Sequence, residues 1–321
     1  MTGWPLSYLQ SAGPAASPVA RLAWGLGSVS VAVVLIVGVG LIAAIWRRRP
    51  SADDPMSLVP GASSASGIGW IYVGLAISVP VLAICTIWTL AVLGKVMHPA
   101  SAPHLRLQVT AHQWWWEVRY PTSNSQQTFT TANEIHIPAG EPVEIVLNSA
   151  DVIHSFWVPK LGGKMDVIPG ITNRTWIEAS DPGRFRGQCA EFCGAQHAHM
   201  AFYVVAQPRA EFDAWVADQL AFPAKGASPS QVVASGERVF SARCAACHTV
   251  SGTPAGGIVG PNLGHFASRS TLAAGSIPND ADHLRKWIAD PQAIKPGVRM
   301  PAVPLTTADR DAVVAYLESL T

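Results

Sequence analysis

The sequence predicts a multi-domain chain: a two-helix transmembrane hairpin, then an all-β sandwich, then a small all-α domain. Three observations carry this reading. Two long apolar runs near the N-terminus hold no charge, a period-two pattern fills the middle of the chain, and after a Pro/Gly/Ser-rich stretch the strand pattern gives way to helical periodicity. Composition agrees. Hydrophobic residues make up 49% of the 321 residues and charged ones only 13%, well below the quarter usual in soluble domains. A net charge of +1 gives no reason to expect nucleic acid as a partner.

Residues 1–21 are Pro/Ala-rich and lack an early Lys or Arg, so the basic n-region of a signal peptide is missing; they are read as an N-terminal extracytoplasmic segment. The hairpin occupies 22–94, with spans at about 22–46 and 68–94. A helix of 25 residues is about 37 Å long, enough to cross a hydrocarbon core of about 30 Å. Trp24, Trp46 and Trp70 near the span ends suit the membrane interface, and Pro80 is expected to kink the second span. Arg47, Arg48 and Arg49 directly follow the first span, whereas only Lys95 closely follows the second. Excess arginine marks the cytoplasmic side, which puts both termini and everything beyond about residue 95 on the extracytoplasmic, periplasmic face of a bacterial plasma membrane.

From Leu105 the apolar residues alternate. Short strands are expected at Leu105–Val109, Trp114–Val118, Glu134–Pro138, Pro142–Leu147, Thr175–Ile177 and Ala201–Val205, separated by turn signals such as Pro169-Gly170 and Asp181-Pro182-Gly183. Ala210–Leu220 reads as a closing helix, which bounds this domain at 95–220. Residues 221–230 form a linker. Helices at Ser230–Arg243, Ala281–Ala289 and Thr307–Leu320 then build a domain over 231–321, too small for a generous core and helped by anything bound inside it.

Five cysteines are present, Cys85 and two close pairs. Cys85 lies in an apolar span and is expected to be buried and inert. Cys244, Cys247 and His248 form C-x-x-C-H, the attachment pattern of c-type heme, in which two thiols bind the porphyrin and the histidine reaches the iron. Thioredoxin-like and zinc sites share C-x-x-C, but no βαβ pattern surrounds it and no second C-x-x-C follows. Met300, in a Pro-bracketed loop, suits the remaining axial place. With GPNL at 260–263, residues 231–321 resemble a class I cytochrome c; the resemblance implies that the Pro261 carbonyl accepts the N–H of His248. His265 and His283 are expected at the surface.

The other pair sits in CAEFCGAQHAHM, residues 189–200. Thiolate, imidazole and thioether suit copper or heme iron, while a disulfide between Cys189 and Cys193 is the competing reading. His154, on a separate strand, supplies a further imidazole, and a sandwich bringing an upstream histidine to a Cys/His/Met loop is cupredoxin-like. The stretch from the first span to about residue 215 closely resembles subunit II of heme–copper cytochrome c oxidases, through HQWWWE (112–117), HSFWVP (154–159), KMDVIPG (164–170) and the loop itself. The resemblance implies a binuclear copper CuA centre. Cys189 and Cys193 would bridge both ions, His154 and His197 would each complete one, and Met200 and the Glu191 carbonyl would be weak ligands. It also implies a magnesium at the Glu191 side chain, shared with subunit I, and Trp114 as the point where electrons arrive.

With the fused heme domain the chain resembles subunit II of a caa3-type oxidase. That implies an electron-receiving subunit of a proton-translocating oxidase with heme c as donor to the copper pair. Oxygen would be reduced in subunit I, so no catalytic residue is expected in this chain. Subunit I, subunit III, an upstream cytochrome or cytochrome-containing complex and lipid are the implied partners. A nitrous-oxide-reductase relative and a free-standing membrane-anchored carrier or sensor are the alternatives; the first lacks a His-rich catalytic copper domain here. His98, His104, His112, His136 and His199 are read as structural or exposed. Residues 104–220 carry 8 Lys/Arg against 12 Asp/Glu, net −4, and 221–321 carry 9 against 7, net +2, so opposite charges are expected to favour docking of the heme domain.

Overall fold

In a computed structural model, residues 6–47, 64–121, 128–221 and 230–321 are described. The chain divides into two compact units, residues 17–98 and residues 99–321 together with the first sixteen. Arg48, Arg49 and the structure of most of the linker lie outside the described residues.

The smaller unit is two helices, α1 (Ala16–Trp46) and α2 (Ser64–Met97). α1 begins before the apolar span read from the sequence and ends with it at Trp46, whereas α2 extends past its span at both ends, through Gly94 and, within the span, through Pro80. Their apolar side chains, Leu35, Ile42, Leu82 and Ile84 among them, are exposed, as lipid-facing residues would be. Cys85 is half-buried rather than buried.

In the larger unit, ten strands form two five-stranded sheets, with orders β3-β2-β1-β5-β8 and β4-β10-β9-β6-β7. The first contains β1 (Leu105–His112), β2 (Trp115–Tyr120), β3 (Phe129–Ala132), β5 (Val143–Ser149) and β8 (Asn173–Ile177). The second contains β4 (Glu134–Pro138), β6 (His154–Trp157), β7 (Met165–Val167), β9 (Gly183–Cys189) and β10 (Ala201–Gln207). Alternation sets which residues face inward: Leu107, Val109 and Ala111 of β1 are fully buried, as are Phe202 and Val204 of β10. Trp116 stands edge-on to Phe156 and Phe202 at 5.8 and 5.3 Å, locking the two sheets together near the end where the ligand loop begins. Three of these strands, β3, β7 and β9, were not expected from the sequence. β3 and β7 are short, and β9 mixes glycine and arginine into the alternation.

Helix α3 (Arg209–Leu220) closes the sandwich through Phe212 and Trp215. Beyond the linker come α4 (Gln231–Arg243), a short hairpin β11 (Thr271–Leu272) and β12 (Ile277–Pro278), α5 (Ala281–Ala289), α6 (Pro291–Ile294) and α7 (Thr307–Glu318). Side-chain caps start all four of these helices: Ser230 accepts from Val233 N–H, Asp280 from His283 N–H, Asp290 from Gln292 and Ala293 N–H, and Thr306 from Asp309 N–H. Phe240, Leu284, Ile288, Val313 and Leu317 form the core. Helices α4 and α7 meet at Gly236, where a Cβ would collide with the Ala312 carbonyl.

Candidate metal centres

The ligand loop is held between β9 and β10. Cys189 is the last residue of β9, whose Phe156 partner places β6 alongside, and Met200 immediately precedes β10. The register brings His154, the first residue of β6, against Cys189; the two have essentially no exposed surface. Cys189 Sγ lies 3.9 Å from His154 Nδ1 and 3.7 Å from Cys193 Sγ. Cys193 Sγ is in turn 3.7 Å from His197 Nδ1 and 3.8 Å from Met200 Sδ, while the Glu191 carbonyl is 3.3 Å from Cys189 Sγ. A sulfur pair at 3.7 Å is unbonded, far from the roughly 2.05 Å of a disulfide.

These spacings suit soft-metal coordination. With bonds of roughly 2.3 Å to sulfur and 2.0 Å to nitrogen, a tetrahedral ion has S···S edges of about 3.8 Å and S···N edges of about 3.5 Å. The donor set thus already stands near metal-binding separations. The tautomer is set as well. His154 Nε2–H donates to Asp151 Oδ1 at 2.8 Å, which leaves the Nδ1 lone pair aimed at the sulfurs. Asp151 also accepts from the backbone N–H groups of Gln113 and Val152 at 2.7 and 2.8 Å. Burial opposes its ionisation, yet these bonds outweigh burial and lower its pKa. The two thiols share one negative charge. Cys189 is held down to about 3, chiefly by the Cys193 thiol, and that anion together with burial pushes Cys193 up. A cation between them would displace the second proton.

Trp114 reaches this loop from the turn before β2. It is buried, and its Nε1–H donates to the Cys193 carbonyl at 2.9 Å, beside Gln113 Nε2, which donates to the same oxygen at 2.9 Å. Trp116 is buried on the same side and Trp115 stacks on His112 at 4.3 Å. His199 is exposed and bonded to Gln196, and the Glu191 side chain turns to the Phe192 N–H.

In the helical domain His248 Nδ1–H donates to the Pro261 carbonyl at 2.9 Å, so Nε2 carries the free lone pair an axial ligand needs. A Cβ at Gly260 would lie 2.6 Å from His248 Cε1, so glycine lets the chain pass the ring edge. Cys244 is half-buried, Cys247 exposed and Met300 half-buried in a loop whose carbonyl at Met300 accepts from Gln292 Nε2 at 3.1 Å. These groups suit a covalently held heme, with thiols and imidazole in one turn and a thioether on a separate loop. His283 is at the surface, with its side chain 38% exposed. His265 is not: it is buried, with its ring nitrogens 2.9 Å from the Thr321 carbonyl and 3.2 Å from the Ala221 carbonyl, tying the chain end to the end of α3.

The two domains touch where their ligand loops are. Lys295 Nζ donates to the Trp114 carbonyl at 2.8 Å, Gln196 Nε2 donates to the Pro296 carbonyl at 2.7 Å, and the Ala201 N–H donates to the Ala274 carbonyl at 3.0 Å. Glu134 of β4 accepts from the hydroxyl and N–H of Ser270. Asp151, Gln113, Gln196, Glu134 and Lys295 did not emerge from the sequence reading. Asp151 had a signal, a carboxylate three residues before a ligand histidine; the others had none.

Comparison with known proteins places these sites in a family context. Residues 122–207 match the family described as cytochrome C oxidase subunit II, periplasmic domain, and residues 233–321 match cytochrome c. The chain is 39% identical over 295 residues to cytochrome c oxidase subunit 2 of Alkalihalophilus pseudofirmus, covering 90% of this chain and 83% of that one. It is 33% identical over 290 residues to the same subunit of Bacillus sp. strain PS3, covering 86% and 80%. A crystal structure of the periplasmic domain of subunit II of cytochrome oxidase from Bradyrhizobium japonicum aligns at 32% identity and a TM-score of 0.35, covering 38% of this chain and 96% of that one.

Proposed function

The chain belongs to the cytochrome c oxidase subunit II family, and from that premise we propose that it is the electron-receiving subunit of a proton-translocating, caa3-type heme–copper terminal oxidase. It is a membrane subunit of cytochrome c oxidase, associates with subunit I, and carries copper-type and cytochrome c domains. When bound, a covalent heme c and a binuclear copper centre supply one-electron carriers that relay charge to subunit I, where oxygen is reduced to water. Cys244 and Cys247 would hold the porphyrin, with His248 and Met300 on the iron and Pro261 fixing the imidazole. Cys189, Cys193, His154, His197, Met200 and the Glu191 carbonyl would together hold the copper pair. The Glu191 side chain is the candidate for a magnesium at the subunit I boundary, and Trp114 for the point of electron arrival. Subunit III and a cytochrome donor complete the proposed assembly, in a plasma membrane with both redox domains outside.

The observation that supports this most directly is the cluster of His154, Cys189 and Cys193, whose donor atoms lie within 4.8 Å of one another in a buried site. What these residues contribute is preorganisation. Asp151 fixes the His154 tautomer, burial excludes water, and two shared sulfurs let little move when charge changes. Metal and heme analysis of the purified oxidase with EPR tests the reading. Two coppers sharing one unpaired electron and one covalent heme per subunit are expected. A single copper, or none with a 189–193 disulfide, overturns it.

A further inference from the structure

Lys295 is 2% exposed and belongs to the loop that carries Met300. Lysine is almost never fully buried without a partner, because its head group loses hydration. Burial pushes Lys295 down to about 7. Its Nζ donates to two main-chain oxygens: Trp114 O at 2.8 Å, from the copper-type domain, and Ala273 O at 3.1 Å, from the heme domain's own hairpin. Trp114 is thereby held at both ends, its carbonyl by Lys295 and its indole N–H by the Cys193 carbonyl at 2.9 Å. Directly after Lys295, Gln196 donates to Pro296, and a Cβ on Gly297 would stand 3.7 Å from Ala195 and 3.8 Å from the Trp114 ring. An ion pair also crosses this face, Arg299 to Asp151 at 3.9 Å, but Arg299 is 65% exposed and such a pair is screened and worth little.

We propose that Lys295 is a positioning residue that clamps the heme domain onto the copper-type domain in one pose, with the Met300 loop seated on Trp114 and the ligand loop. The docked state then rests on a buried donor bridging two domains, and opposite net charge is secondary. This changes the expectation drawn from charge alone, in which salt would separate the domains. The functional consequence rests on the proposed reading of the two sites, whereas the docking does not.

The test uses the assembled oxidase in membranes, with a protease site introduced within residues 222–229. After cleavage, the fragment from residue 230 onward is followed by immunoblot in pellet and supernatant, so its fate is read whether or not heme or copper is bound. Wild-type fragment is expected to stay with the membrane at both low and 0.5 M salt, taken as about five times a 0.1 M reference. Lys295→Met leaves two buried carbonyls without their donor, and retention is expected to fall about tenfold or more. Arg299→Gln is expected to change retention by less than about twofold. A clamp without a wider structural role also requires that Lys295→Met keep the wild-type midpoint potential and methionine–iron absorption band of its heme. Release of wild-type fragment by salt overturns the proposal without needing any variant, as does unchanged retention in Lys295→Met. Failure of the metal and heme analysis, in contrast, would overturn the functional reading and leave the docking result standing.

Discussion

Asp151 shows how one side chain prepares a metal site before any metal arrives. Three donors converge on its carboxylate, and the one from His154 decides which imidazole nitrogen faces the sulfurs. Asp151→Asn is expected to lower copper affinity about 10–100-fold, the range typical when a carboxylate behind a ligand histidine is lost. Copper retained against a graded chelator series measures this; wild-type retention would count against the role. The heme site has a comparable dependence on Gly260. In Gly260→Ala the new methyl group would sit 2.6 Å from His248 Cε1, so the ring must turn and its 2.9 Å bond to the Pro261 carbonyl must stretch. A weaker bond leaves a less basic ligand, so the heme midpoint potential is expected to rise, as a redox titration would show. The candidate ligands were legible in the sequence because their spacing is chemical: C-x-x-C-H and C-x3-C-x3-H leave few readings. Their supports were not. Asp151 lies three residues before His154, a signal the motifs do not exploit, and no local pattern around Lys295 marks it as buried.

At the scale of elements, what was legible is what repeats. The alternation in β1 and β10 and the apolar runs of α1 and α2 announce themselves, whereas β7, only three residues long, is identifiable as a strand through its pairing with β6. His265 was misplaced for a related reason: its burial follows from the chain end folding back over it, which no local pattern encodes. Two elements carry testable loads. Helices α4 and α7 cross at Gly236, and Gly236→Ala forces them apart; a clash of this kind costs about 1–3 kcal/mol or more. Loss of covalent heme with copper content retained is expected, by pyridine hemochrome and metal assay. Strand β4 presents Glu134 to Ser270 of the heme domain. Burial disfavours its charge, but bonds from His136 and Ser270 prevail and hold its pKa below the usual 4.5. Since the folded value is depressed, the stabilisation is present above about pH 4.5 and is lost as pH falls through the folded pKa. Acid titration of domain docking should therefore show a step in wild type that is absent in Glu134→Gln, and identical profiles would refute the assignment.

At the scale of the whole molecule, the N-terminal segment carries more information than its composition suggested. Ala12 N–H donates to the Lys160 carbonyl at 2.7 Å and the Ala12 carbonyl accepts from Ser180 N–H at 2.9 Å, so the segment before α1 is stitched into the β-sandwich that follows α2. Residues before the first helix and after the second are therefore expected on one side of the membrane, the topology that arginine at 47–49 implies from the opposite end of the hairpin. Two backbone hydrogen bonds in a part-buried setting contribute about 1–3 kcal/mol together, enough to hold a segment in place but not enough to drag a span across a bilayer. The charge asymmetry must set the orientation and the contacts must follow from it. A membrane-impermeant thiol reagent applied to intact cells should then label a cysteine introduced at Ser11 or Ser101 and spare one introduced at Ser51. Mass spectrometry of the purified subunit should also find residue 12 still attached to α1. Labelling at Ser51 from outside would invert the topology and move both redox domains to the wrong side for a periplasmic donor; a mature chain beginning after residue 16 would leave the topology intact and remove the stitch.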